Sequence, residues 1–446
     1  MLGKGDGALR ILMIAPTSFF ADYGCHVRIL EETRALRALG HRVVICTYHN
    51  GSDIPGLEIR RSIDVPWRKR VVVGSSRHKL YLDGVLSFEV LRTALRFKPD
   101  IIHAHLHEGA LIGGTLARLI RRPLVFDYQG SLTEEMIDHG FLRRNGRIQA
   151  GLRRIERRIN RLADVIVTSS NNARERLIQQ DLGGERLTTI LDAVDTDRFS
   201  PSAIPDADRQ ALRQLFGLPS GARVIVYLGL LAPYQGSDLL LQSARMVLNQ
   251  VPDAFFLVMG FPGNEDYRIM AEELGLGQRM SFPGRVPYLD AHRYLALGEI
   301  AVAPKMSLTE GNGKLYNYMA MGLPVVAFDA PANHEILGDL GVYARHGDTR
   351  DFAGKLIDLL EHPEQAAALG IRLRGRAIHR LAWKNRIGEL LAVYETLFQP
   401  TRKADDRAKS SATSHPAIGP IIIKGQPWEP KPPQRAEREP ELPSRR

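Results

Sequence analysis

Cysteine is nearly missing from this chain. Cys25 and Cys46 are the two among 446 residues, and neither stands in a CxxC or Cys/His spacing. A disulfide framework and a structural zinc site are therefore excluded, and a reducing, cytoplasmic setting is the expectation. Long apolar runs are missing as well: nothing comes near the roughly eighteen uncharged residues of a transmembrane helix. The opening "MLGKGDGALRILMIAP" enters a strand-like run without the apolar stretch of a signal peptide. No RNP-like aromatic signature, zinc-finger spacing or clear helix-turn-helix accompanies the positive charge, so no nucleic acid partner is expected.

What the chain does have is bulk, basicity and a repeating pattern. At 44 % hydrophobic residues it can bury a large core, and a chain of this length ordinarily divides into two domains. The net charge of +10 suits phosphorylated small molecules or anionic lipid. "RILMIAP", "HRVVICTY", "DIIHAHL", "PLVFDYQG" and "DVIVTSS" read as short strands, several separated by helical patterns such as "HVRILEETRALRALG". That alternation predicts βαβ units and a mainly parallel sheet. "LDAVDTDRFSP" is irregular, and the pattern then resumes with "RVIVYLGLL", "AFFLVMGF", "MSFPGRV", "EIAVAPK", "LPVVAFD" and "VYARHGD". The expectation is an α/β protein of two doubly wound domains, over 1–200 and 201–385, followed by a closing helix over 386–399. A tail over 400–446, rich in proline, charge and small residues, is expected to be disordered. Two such domains leave a cleft outside the carboxyl ends of their strands, the default place for a ligand.

One junction stands out. "EIAVAPK" brings Lys305 to the end of a strand, and a loop carries Glu310, Gly311, Asn312 and Gly313 to the helix "KLYNYMAMG", which begins with Lys314 and Leu315. A helix start offers backbone N–H groups to an anion, and glycines let a phosphate approach. Lys305 and Lys314 add charge, while Glu310 or Asn317 can bond sugar hydroxyls. The reading is a seat for a nucleotide diphosphate, against the plainer reading of glycines as loop turns. Asp127 and Gln129 follow "PLVF" at its carboxyl end and are expected to point to the cleft floor on the acceptor side.

Two further stretches bear on partners. Along "FLRRNGRIQAGLRRIERRINRLADVIV", Ile148, Leu152, Ile155, Ile159 and Leu162 recur at helical spacing between arginines. A helix from Arg143 to Arg161 then either packs as a core helix with a solvated basic face or docks on an anionic membrane. His103, His105 and His107 alternate along "IIHAHLHEG". That spacing is compatible with a metal, yet polar residues at a strand end are common, and no metal site is expected.

The motifs together resemble a known family. "KLYNYMAMGLPVV" is similar to the C-domain signature of the GT-B glycosyltransferases of the family 4 type, usually K-L-F-E-Y-M-A-x-G-x-P-V-V or a form opening E-x-F-G. "ALRALGHRVVI", "PDIIHAH", "DAVDTDRF" and "VYLGLLAPYQGSDLLL" resemble further family motifs, so the likeness runs over roughly 9–398. It implies the GT-B fold: a Rossmann-like acceptor-binding N-domain, a Rossmann-like nucleotide-sugar-binding C-domain, and a closing helix that returns toward the N-domain. It implies a retaining, metal-independent hexosyltransferase that needs no cofactor. The substrates would be a nucleotide-diphosphate sugar and a glycan or lipid-linked acceptor, met in the cytoplasm or at the inner membrane face. By position, Gly24 would approach the donor phosphates, with Gly229 and Gly236 shaping the facing loop that carries Gln235. Glu310 would face the transferred sugar, the amides of Gly313 to Leu315 the diphosphate, and Asn317 the ribose.

The chain also departs from the family. Leu230 and Gln235 stand where an arginine and a lysine usually neutralise the diphosphate, Asn317 where a second glutamate holds the ribose, and Gln129 where a histidine is frequent. Counting back from "MAMG" puts Thr309, not Glu310, at the first glutamate, and Asp192 with Ala193 replace an Asn-Gly pair. Either Lys305 and Lys314 have taken over the phosphate charge, or the chain is a non-catalytic scaffold of the same fold. A sugar-nucleotide 2-epimerase shares the architecture and remains a third reading.

Overall fold

In both halves the β-branched runs form the strands of a parallel sheet. The computed structural model describes residues 7–22, 24–64, 79–138, 142, 146–308 and 311–398. The first sheet contains β1 (Arg10–Ala15), β2 (Arg42–Thr47), β3 (Glu58–Arg61), β4 (Ile101–His105), β5 (Leu124–Tyr128), β6 (Val165–Thr168) and β7 (Leu187–Thr189). Its order is β3-β2-β1-β4-β5-β6-β7 with every ladder parallel. The second contains β8 (Arg223–Leu230), β9 (Ala254–Phe261), β10 (Met280–Ser281), β11 (Ile300–Ala303), β12 (Val325–Phe328) and β13 (Val342–Ala344), in the order β10-β9-β8-β11-β12-β13.

Strand order reverses between β1 and β4 and again between β8 and β11. In doubly wound sheets such reversals open the crevice that takes a ligand. The loops after β1, β4, β8 and β11 therefore border it, and these are the stretches singled out above.

Side-chain alternation builds a layer on each face of each sheet. In the first sheet Leu12, Ile14, Val44, Ile102 and Phe126 pack under helices 79–97 and 106–120. Ile11, Met13, Ile45 and Val125 face the opposite way, toward Ile29, Leu30 and Leu36 of helix Gly24–Ala38. In the second sheet Ile225, Tyr227 and Phe256 meet helices 237–250 and 349–361. The other face packs on helices 314–320 and 363–380.

The chain returns to its first half at the end. Val194 forms a parallel bridge with Ala382; its N–H donates to Leu381 O (2.9 Å), and Trp383 N–H donates to Val194 O (3.3 Å). Helix Trp383–Thr396 then lies along helix 24–38. Among the described residues, no helix is long and apolar enough to cross a membrane.

Three details depart from the sequence reading. "EIRR" and "LTT" form β3 and β7, which carry too little hydrophobic alternation to announce themselves. "MSFPGRV" yields only Met280–Ser281, since Pro283 cannot donate to a ladder and Gly284 takes a positive φ of 78°. The tail over 400–446 lies outside the described residues.

Candidate active site

The loop after β8 is held open by tyrosines. Tyr227 Oη donates to Leu230 O at 2.6 Å, and Tyr318 Oη accepts from Leu228 N–H at 2.7 Å. Gly229 has φ 152°, and a Cβ there would come within 3.0 Å of Lys314 Nζ. Gly236, at φ 71°, lies so close to β11 that a Cβ would stand 1.9 Å from Pro304 O. This is a contact only glycine permits.

Across that loop reaches Lys314, the first residue of helix Lys314–Ala320. Its Nζ is 3.0 Å from Gln235 Oε1, 3.4 Å from Tyr227 Oη and 4.5 Å from the centre of the Tyr227 ring. The ammonium thus stands beside Gln235, on the loop that lacks its own cation. Lys305, nearly buried, donates instead to Gly311 O at 2.7 Å and ties the loop down. Asn312 is buried, donating from Nδ2 to Asn333 Oδ1 at 2.9 Å, and Asn333 in turn donates to Phe328 O at 2.7 Å. Gly311 and Gly313 are exposed and Asn317 is nearly buried. The Leu315 N–H is already taken by Asn312 O (3.1 Å), which removes one of the three amides expected to face a phosphate. Glu310 and Thr309 lie outside the described residues.

On the facing side, the loop after β1 folds over His26. Ala21 N–H donates to Nδ1 at 2.8 Å, so the proton sits on Nε2, which bonds the Thr17 hydroxyl. Burial, and then the nearby Arg285 charge, push this imidazole down to about 3. Asp22 closes the loop onto the second half, with Oδ2 2.6 Å from Arg285 Nη2 and Oδ1 accepting from Tyr288 N–H at 2.8 Å. Gly24 begins the following helix, and a Cβ there would meet nothing within 4 Å.

Beneath lies a buried charge network around Arg28. Its Nε is 3.0 Å from Asp127 Oδ1 and 3.1 Å from Glu32 Oε1, while Nη1 reaches Asp192 Oδ1 at 2.5 Å and Ile190 O at 3.1 Å. Asp127 is completely enclosed, its Oδ2 also bonded to His105 Nδ1 (2.9 Å) and Gln129 Nε2 (2.7 Å). Burial alone would raise its pKa, but Arg28 and then His105 hold it below the usual carboxylate range. Glu32, penalised by the same burial with weaker compensation, is raised well above it. The expectation that Asp127 points openly to the cleft floor is thus corrected: its carboxylate is spent on Arg28, His105 and Gln129. Of the pair, only Gln129 retains exposure.

The histidines separate. His103 and His105 stack on β4 with ring centres 4.6 Å apart, and His103 Nδ1 meets Tyr394 Oη at 2.6 Å. His107 belongs to helix Leu106–Ile120, between the rings of Phe126 and Tyr128. One potential metal-holding group occurs among the described residues, Glu32 with His103, His105 and Asp127, whose ligand atoms lie within 4.8 Å of one another. Arg28 already places its cation between the two carboxylates. The donor set is therefore that of a buried guanidinium network.

Comparison with known proteins decides the family. Residues 23–191 match the Glycosyl transferase 4-like domain, and residues 222–362 match Glycosyl transferases group 1. The chain belongs to the GT-B glycosyltransferases of the family 4 type. It is 32 % identical over 249 residues to a GDP-mannose-dependent α-(1-6)-phosphatidylinositol monomannoside mannosyltransferase of Mycolicibacterium smegmatis, a match covering 53 % of this chain and 64 % of that one. To a D-inositol 3-phosphate glycosyltransferase of Thermobispora bispora it is 26 % identical, covering 83 % of this chain and 89 % of the relative. The crystal structure of Anabaena HepE in complex with UDP and glucose superposes with a TM-score of 0.71 at 17 % identity, covering 87 % of this chain and all of the other.

This GT-B enzyme is a glycosyltransferase using nucleotide-sugar donors. Several of its site residues escaped sequence reading. Arg28 and Glu32 sit four apart on a helix, a spacing easily read as a surface pair, and both are buried. Asp22 lies in a loop with no periodic pattern, and His26 sits in the first turn of helix Gly24–Ala38, where one histidine in a helical pattern gives no sign of its burial.

Proposed function

We propose that this glycosyltransferase transfers a hexose with retention of anomeric configuration, without a metal, from a nucleotide-diphosphate sugar to the hydroxyl of a lipid-linked or envelope glycan. One observation carries the reading. The Lys314 ammonium stands beside Gln235 and Gly229, on the loop where the family's own arginine and lysine are replaced by Leu230 and Gln235. A charge put back at the same loop from a different element favours compensation over loss of catalysis. The Lys314 ammonium and the amides of Gly313 and Lys314 then meet the diphosphate, and Asn317 meets the ribose. The leaving phosphate, stabilised by this charge, helps to deprotonate the acceptor. Glu310 faces the transferred sugar, and Gln129, oriented by Asp127, bonds a hydroxyl at the acceptor side. Gly24 lets the phosphates come close to the first domain.

The lipid acceptor is supported by the mycobacterial relative, whose substrate is a phosphatidylinositol mannoside. The chain's basic surface fits work at the cytoplasmic membrane face. The test is a thermal-shift panel of UDP, GDP, ADP and CMP with their common sugar conjugates. A selective shift names the donor base and supports the reading; none with any, on folded protein, overturns it. Release of free nucleotide only when an acceptor is present separates transfer from 2-epimerisation.

A further inference from the structure

Where a helix covers a sheet, apolar side chains normally fill the seam. Helix 79–97 follows this with Leu86, Val90 and Ala94, which pack in the layer of Leu12, Val44 and Cys46. A second set departs from it: Glu89, Arg92, Thr93, Arg96 and Phe97 recur at i, i+3, i+4, i+7 and i+8 and so share a helix face. That face turns to the amino ends of β1 to β3.

The strands answer with the same chemistry. Alternation puts Arg10 on the face of Leu12 and Arg42 on that of Val44, and the two arginines are direct partners in the β1–β2 ladder. On β3, Glu58 is the partner of Val44 and Arg60 that of Cys46. Between these residues and the helix lies a hollow of about 340 Å³ with five guanidinium groups in its lining. Small-molecule sites run from roughly 300 Å³ upward and are mostly apolar. A lining of arginine selects an anion instead.

The carboxylates present orient these arginines without neutralising them. Glu89, nearly buried, takes Arg92 in a fork, from Nε at 2.9 Å and Nη2 at 3.1 Å, and also accepts from Thr93 Oγ1 at 3.1 Å. Glu58 accepts from Arg42 Nη2 at 3.2 Å and Arg60 Nη2 at 3.0 Å, and Asp100 clamps Arg10 at 3.0 Å. Arg42 also lies 5.1 Å from the centre of the Phe97 ring. Three carboxylates thus fix four guanidiniums, and with Arg96 two positive charges are left over among these residues. Half-exposed ion pairs add little to stability, so folding alone does not account for them. Guanidiniums already held in place lose less freedom on binding, and their forks match phosphoryl oxygens.

We propose that this hollow is a second, non-catalytic binding site for a soluble molecule with two adjacent phosphoryl groups, inorganic pyrophosphate or an organic diphosphate. Arg42 and Arg60 come from the sheet and Arg92 and Arg96 from the helix, so each wall can take one phosphoryl group. The site lies at the amino ends of the strands, at the edge of the sheet opposite the loops after β1 and β4 that border the cleft. It is therefore independent of the donor junction.

Calorimetric titration of the full chain with inorganic pyrophosphate, without divalent metal and in about 0.15 M salt, tests it. Lys314→Ala, altered in the cleft, should keep the site at wild-type affinity. Arg42→Ala with Arg96→Ala should weaken it at least tenfold and leave the melting temperature of the ligand-free protein unchanged, because both side chains are exposed. Arg92→Lys, which keeps the charge and loses the fork, should weaken it as well, and pyrophosphate should raise the melting temperature of the wild type more than that of the double variant. Wild-type affinity in the double variant overturns the proposal. Loss of all binding in Lys314→Ala does so too, by placing the anion in the cleft, and sulfate bound as tightly as pyrophosphate would show a diffuse ion atmosphere only. Failure of pyrophosphate to bind where phosphatidylglycerol vesicles do would replace the soluble ligand by lipid phosphate and equally overturn it.

Discussion

At the scale of single residues, the two lysines of the donor junction divide their labour. Lys314 Nζ stands at the loop of Gly229 and Gln235, whereas Lys305 Nζ is nearly buried and holds Gly311 O. A charge-assisted contact to phosphate is worth about 2 kcal/mol. Lys314→Ala should therefore weaken nucleoside-diphosphate binding about thirtyfold in calorimetric titration with little change in melting temperature. Lys305→Ala should cost both, because the loop loses its tie. Gln235→Ala should change affinity less than threefold by calorimetry, about 0.6 kcal/mol; a larger loss than that of Lys314→Ala would end the compensation reading. On the acceptor side the order inverts. Asp127→Asn disturbs a buried network and should lower stability by about 3 kcal/mol, while Gln129→Ala should cut kcat and leave the melt unchanged.

At the scale of elements, glycine positions and buried imidazoles set the tolerances. Gly236→Ala combines a positive φ with a Cβ 1.9 Å from Pro304 O. It should destabilise by more than about 2 kcal/mol in denaturant unfolding. Gly229→Ala carries the strain of φ 152° but presses on side-chain ends, Lys314 Nζ and Tyr227 Oη, where Gly236→Ala presses on backbone, so it should be milder in stability but harsher for donor binding.

The imidazoles make stability depend on pH. His26, His103 and His107 all have pKa values lowered by burial, His26 to about 3. Below 6.5 the unfolded chain takes up protons that the folded chain refuses. Stability is then lost as pH falls, by at most about 1.4 kcal/mol per pH unit for each imidazole. Buried Glu32 and half-buried Asp192, with raised values, act in the opposite sense: their contribution is full at low pH and is lost as pH rises. Melts from pH 7.5 to 5.5 should show falling stability, and His26→Gln should flatten the slope by about one proton. An unchanged slope would mean that His26 titrates normally.

The same elements show what the sequence could tell. Hydrophobic runs of β-branched residues marked most strands, because both faces of a parallel strand are buried and the run becomes continuous. "KLYNYMAMG" marked the donor junction because its glycines and lysines are adjacent in the chain. Arg28, by contrast, meets Asp127 ninety-nine residues away and Ile190 a further stretch on. No local pattern encodes such a pairing. Helix 147–160 reads as basic and amphipathic, but which side faces the core depends on Thr133 and Ser131 donating to the Glu156 carboxylate.

At the scale of the molecule, a few polar contacts tie the two halves together across the cleft. On one side Asp22 bonds both Arg285 and the Tyr288 N–H, and on the other Asn171 N–H donates to Glu335 Oε1 at 2.7 Å. Near the crossover, Arg374 Nη1 donates to Phe199 O at 3.0 Å and Nη2 to Ser200 Oγ at 2.9 Å. These three points differ in kind. The Arg374 contacts lie next to the connector, where they cannot restrict opening. Asp22 lies in the loop after β1, which borders the donor side, so its pairing with Arg285 couples closure of the halves to the shape of that loop. Breaking it by Asp22→Ala should shift the population toward open forms, raising the radius of gyration of the nucleotide-free protein in small-angle scattering. The pair is open to water on its Arg285 side and largely covered at Asp22, so the ion pair itself contributes about 1 kcal/mol to folding and the melting temperature should fall only slightly. Donor affinity should fall several-fold because a closed form must now be selected from a smaller fraction, with saturating nucleotide restoring the wild-type radius. An unchanged radius together with unchanged donor affinity would show that the Asp22–Arg285 pair decorates the cleft edge and does not govern it.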